Sequence, residues 1–179
     1  MNLITVLIIS FLFLSIVSTL FHFTHLWFKN GLLLHIFSAV NESTWEHMKM
    51  LLAPTLLLGV FQYLLLHDTY SNLFNAILIL LVIGILTIPL IYEPLRILIK
   101  KVPFYITILI FYLAIIFGIL SEYYILKNSI SIFSESVSLF IILLITLKFA
   151  IFTYFPPKIF LFKDPITGGY GDVSHRKKN

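Results

Sequence analysis

The chain contains no cysteine among its 179 residues. Disulfides, thiolate nucleophiles, iron–sulfur ligation and cysteine zinc sites are thereby excluded. Any metal would have to rest on His, Asp or Glu. Charge is the second scarcity. Only 11% of the residues are Asp, Glu, Lys or Arg, against roughly 25% in a soluble domain. Eight acids and twelve bases leave a net charge of +4 with His neutral. The first 28 residues carry no charged side chain at all. Apolar residues take the vacated share: 60% of the chain is hydrophobic and mean hydropathy is +1.03. That balance excludes an ordinary soluble fold, a disordered chain and a nucleic-acid-binding module. It describes a multi-pass protein of the cell membrane, whose immediate partners are membrane lipids. Nothing in the sequence sets an oligomeric state.

A helix crosses the hydrocarbon core with about 20 mainly apolar residues. Five segments reach that length: about Leu3–Trp27, Trp45–Leu66, Leu73–Tyr92, Phe104–Tyr123 and Ser136–Phe155. The expected fold is therefore all-α, a bundle of five transmembrane helices. Pro54 falls inside the second span and Gly84 and Pro89 inside the third, where a kinked helix is tolerated in a membrane. The first span has no basic start and no small-residue cleavage site, so it reads as a retained span, not a signal peptide. Pro156 and Pro157 stop the fifth. The chain divides into a bundle over 1–155 and a C-terminal segment over 156–179. Ile159, Phe160, Leu161, Phe162 and Tyr170 need an apolar surface, which predicts that this segment folds back under the bundle.

Basic residues set the expected orientation. One side of a five-span bundle carries Lys29, Arg96, Lys100, Lys101, Lys158, Lys163, Arg176, Lys177 and Lys178, and the other only Lys127. The N-terminus is expected outside and the C-terminus in the cytoplasm.

Polar chemistry collects on the cytoplasmic side. His22 and His25 end the first span at i, i+3 spacing, which puts both on one helix face. The second span opens as Asn41-Glu42-Ser43-Thr44-Trp45-Glu46-His47-Met48-Lys49. Glu93 closes the third span on the same side. Beyond the bundle stands Asp164-Pro165-Ile166-Thr167-Gly168-Gly169-Tyr170-Gly171. Its Asp-Pro and Gly-rich composition signals turns, and it lacks the Lys of a phosphate-binding P-loop.

The stretches 41–47 and 164–171 resemble an uncharacterised family of small multi-pass bacterial membrane proteins. That family carries Asn-Glu-Ser-x-Trp-Glu-His and Asp-Pro-x-Thr-Gly-x-Tyr-Gly motifs. The resemblance implies a membrane protein and singles out these residues. It implies no activity.

Each polar residue has a structural reading beside a functional one. Ser43-x-x-Glu46 is a capping box, in which Glu46 returns to the Ser43 amide. Glu46 also has Lys49 within reach at i+3. Trp27 and Trp45 fit interfacial anchors. The functional reading takes Glu42, Glu46 and His47 as acid–base groups, with Asn41, Trp45, Trp27, Asp164 and Thr167 contacting a substrate. A divalent metal would draw on His22 and His25, with Glu and His47 completing its shell. Lys148 lies about 12 Å inside the fifth span. Ionisable groups there are usually paired and functional, so it is expected against Glu93, Glu42 or Glu46. Glu122, near the outer end of the fourth span, reads as interfacial. Together these residues suggest a site that binds or processes a lipid or small apolar molecule. A proton- or ion-coupled carrier and a non-catalytic partner subunit are the rival functions.

Overall fold

The computed structural model describes residues 2–27, 32–99 and 102–171, and side chains over 2–24, 35–99 and 102–171. Its helices are α1 (Leu3–Trp27), α2 (Leu32–Phe37), α3 (Thr44–Lys49), α4 (Leu52–Leu66), α5 (Leu73–Ile99), α6 (Phe104–Lys127) and α7 (Glu135–Tyr154). A short 3₁₀ turn, Phe160–Phe162, follows. Five stretches are long and apolar enough to cross a membrane, with α3 and α4 together making the second, Thr44–Leu66. Among the described residues there is no strand, only an isolated antiparallel bridge between Lys163 and Tyr170.

Local chemistry explains the departures from the expected spans. Pro54 has no amide to offer the Met50 carbonyl one turn back. The chain answers by tightening: Met50 N bonds to His47 O and Leu51 N to Met48 O, both i−3 contacts, before α4 resumes. α5 runs on past Tyr92 to Ile99, through Pro89 and Pro94. Arg96 reaches back one turn to Glu93 at 2.7 Å, across Pro94. Hydroxyls inside α1 avoid exposure to lipid by bonding to their own helix, Ser10 to Val6 O and Ser15 to Phe11 O.

α5 is the centre, packed against α3, α4, α6 and α7. Small residues bring α5 and α6 together. A Cβ on Gly118 would sit 3.0 Å from the Leu80 carbonyl oxygen, and Ala114 lies one turn away on the same face. This small-xxx-small approach replaces the hydrophobic drive that lipid removes. At the N-terminus of α5, Glu135 accepts from the amides of Phe74 at 2.7 Å and Asn75 at 3.2 Å. Asn75 in turn binds the Ile132 and Phe133 amides. The α6–α7 connection is thus fastened to α5 by the groups a helix start leaves unsatisfied.

Candidate functional site

The two motif segments meet at one end of the bundle. Ser43 caps α3 through a 3.4 Å bond from Glu46 N, but the capping box stops there. The Ser43 amide goes instead to Asn41 Oδ1 at 2.8 Å. The Glu46 carboxylate turns inward to the Val40 amide at 3.0 Å and to Lys49 Nζ at 2.6 Å. Lys49 is fully buried, and its ammonium also donates to His35 O at 2.7 Å and to Thr153 Oγ1 at 3.1 Å. A charge taken out of water survives only with such partners. Glu93 is likewise committed, to Arg96 and to the Thr44 hydroxyl.

Asn41 extends its Nδ2 to the Gly171 carbonyl at 3.1 Å, joining the first motif to the second. The second motif is a closed turn. Buried Asp164 accepts from Ile166 N at 2.9 Å and Thr167 Oγ1 at 2.6 Å. Its own amide bonds to Gly169 O, and Gly168 N returns to Asp164 O. Gly168 and Gly171 adopt φ of 71° and 62°, where a side chain is strained. Trp45 pins the segment. Its ring stacks on Phe149 at 4.2 Å and on Phe162 at 4.4 Å, and it is buried. Where the sequence suggested an interfacial anchor or a ligand contact, the two faces of Trp45 are occupied by the chain's own aromatics.

What remains partly exposed is a smaller group. His47 Nε2 lies 3.6 Å from Glu42 Oε2, with side-chain exposures of 20% and 38%. The His22 ring lies 6.0 Å from the His47 ring, centroid to centroid. His47 Nδ1 is 2.9 Å from the Ser43 carbonyl. A carbonyl only accepts, so Nδ1 carries hydrogen and Nε2 is the atom free to gain or lose a proton. Beside His47 runs a narrow cavity of about 20 Å³, space for one water, lined by Thr44, His47, Ile88, Tyr92, Thr107 and Phe111. Tyr92 and Thr107 carried no signal in the sequence, because their relation to His47 depends on helix packing.

The remaining expected residues fall elsewhere. His25 and Trp27 lie outside the residues whose side chains are described. Among the described residues no three His, Asp or Glu side chains are grouped as ligands for one ion. Lys148 does not join the acids. α7 turns Ser138, Ile142, Phe149 and Thr153 inward, which leaves neighbouring Lys148 outside, its ammonium 5.8 Å from the Phe152 ring centre. Glu93 and Glu46 have closer cations in Arg96 and Lys49. Glu122 is not interfacial but wholly buried.

A family model, described as a family of unknown function (DUF6512), matches residues 2–172. The chain belongs to this family. Both motif segments fall inside the matched residues. No curated protein and no solved structure matches the chain significantly. Membership agrees with the uncharacterised family expected from the motifs and brings no activity with it.

Proposed function

We propose that this membrane protein binds or processes a lipid-like molecule at the motif end, with His47, Glu42 and His22 as the working groups. One observation carries the reading. At that end the buried acids Glu46 and Glu93 are neutralised by Lys49 and Arg96, whereas the Glu42–His47 pair stands partly exposed beside a cavity. The chemistry follows from the imidazole. With Nδ1–H directed at the Ser43 carbonyl, Nε2 takes a proton from a bound molecule, and Glu42 stabilises the imidazolium that results. His22, whose ring lies 6.0 Å from that of His47, stands on the neighbouring helix as the second imidazole. Glu46 acts at one remove, through Val40 N and Lys49, by fixing the turn that carries Asn41 and Glu42. The excess of basic residues at this end supports placing it in the cytoplasm.

The experiment is native mass spectrometry of protein purified in mild detergent without chelator. A stoichiometric lipid increment is expected in the wild type, lost in Glu42→Gln and His47→Asn with the fold intact. A clean apo mass in the wild type refutes the reading. A metal increment that depends on His22 would replace lipid chemistry by a divalent ion held there. A second reading, a proton-coupled carrier, draws on the buried polar residues Ser18, Thr55, Gln62 and Glu122, which lie at several depths in the bundle.

A further inference from the structure

At the end of the bundle away from the two motifs, Glu122 of α6 is wholly buried, and neither carboxylate oxygen has a hydrogen-bond partner. Gln62 of α4 is the polar side chain set against it. Gln62 and Ser10 of α1 are also fully buried. The donors can be followed one by one. Ser10 Oγ donates to the Val6 carbonyl at 2.9 Å. Gln62 Nε2 donates to Ser10 Oγ at 3.1 Å. Gln62 Oε1 then has no donor, and neither does Glu122. Gln62 Oε1 and both Glu122 oxygens are therefore buried acceptors without a donor, and a buried acceptor left bare bears its full desolvation cost, far more so when ionised.

One hydrogen completes the row. As a neutral acid, Glu122 donates its O–H to Gln62 Oε1, and the bonds then run from α6 through α4 to α1. A hard metal cation is a poorer fit. It takes about six or more oxygens, and this site offers two from Glu122 and one each from Gln62 and Ser10. Among the described residues no charged side chain is paired with Glu122. α1 carries no charged residue, and its first titratable side chain after Ser10 is His22. On α4's side, His67 and Asp68 are exposed and meet each other at 3.0 Å. On α5, Glu93 and Arg96 pair at the motif end. Glu135 of α7 is held by the start of α5. On α6 itself, Lys127 sits 5.3 Å from the Tyr123 ring centre.

The geometry points to Glu122 as a proton-binding site of the bundle, a membrane-embedded carboxylic acid held against Gln62 and exchanging its proton at the Tyr123 end. Tyr123 lines two openings there. One is a polar groove with Asn2, Tyr70, Asn72 and Lys127. The other is an apolar groove between α1 and α6, lined by Leu7, Phe11 and Ile119, which flank Ser10 and Glu122. The inference stands apart from the site at the motif end; it shares Gln62 and Glu122 with the carrier reading but does not depend on it, since proton binding at Glu122 requires no transport. An intramembrane ionisable residue of this kind is a functional group by default.

The test uses the full chain in native membranes. Dicyclohexylcarbodiimide is itself apolar and reacts with a protonated carboxyl in apolar surroundings. One adduct on Glu122 is expected at neutral pH, located by peptide mapping, fading in alkali and lost in Glu122→Gln. The infrared difference between wild type and Glu122→Gln at neutral pH should contain the stretch of a protonated carboxyl. Its absence overturns the proposal, whatever the labelling gives. Protection of the adduct by sodium or potassium at fixed pH also overturns it, by assigning a cation site. Should Glu122→Gln fail to accumulate, Gln62→Leu serves. It removes the acceptor and should shift the acid stretch to that of an unbonded carboxyl, and an unshifted stretch refutes the bond to Gln62.

Discussion

Replacing Lys49 by Met tests whether the motif end is as dry as its packing implies. The substitution keeps most of the side-chain volume and removes only the ammonium. What it leaves behind is Glu46, 3% exposed, with the Val40 amide as its remaining donor. Removing one partner of a buried pair costs about 3–5 kcal/mol, because an uncompensated charge stays behind. Glu46→Gln should fall toward the low end of that range, since the ammonium keeps the His35 carbonyl and the Thr153 hydroxyl. The double variant strands no charge, and apolar or neutral replacements of buried pairs are often tolerated. It should therefore be no less stable than Lys49→Met alone, with a coupling of about 2 kcal/mol between the sites. The assay is reversible unfolding in mixed micelles with rising dodecyl sulfate, followed by tryptophan fluorescence. Additive losses, or a Lys49→Met cost below about 1 kcal/mol, would mean that water reaches the pair.

Two further outcomes follow from packing. Trp45→Ala should cost about 3–5 kcal/mol, the range for an aromatic removed from a core. Hydrogen exchange should then report loss of protection over 156–171, because the Phe162 stack is gone; unchanged protection would show that the segment docks without Trp45. Gly118→Val should cost about 1–3 kcal/mol by forcing α6 off the Leu80 carbonyl. Melting temperature in detergent reads it, and Gly118→Ala should fall between the two.

Five spans and the concentration of polar residues at one end were legible because lipid punishes charge, so hydropathy and charge placement speak plainly in a membrane sequence. The details that failed were those fixed by rotation of a helix about its axis. Lys148 and Phe149 are adjacent in sequence, yet one faces out and the other inward, and a helix apolar on every side gives too little contrast between its faces to choose. Glu122 was misread for a similar reason. Its nearness to a span end suggested water, but α1 and α4 cover that face with Ser10 and Gln62. Ser43 and Glu46 were legible as a cap. That Glu46 would turn to Lys49 instead of the Ser43 amide depended on burial, which spacing does not report. The partnership of Asn41 with Gly171 had no local signature at all.

That partnership links residues 130 positions apart, and it orders events in time. The second span can enter the membrane early in synthesis, but the Asn41 amide has no acceptor in place until Gly171 has been made. Trp45 likewise waits for Phe149 and Phe162. The end of the bundle carrying His47 and Glu42 is thus the last part to close. A chain interrupted before Gly171 would insert all five helices and still leave that end unfinished.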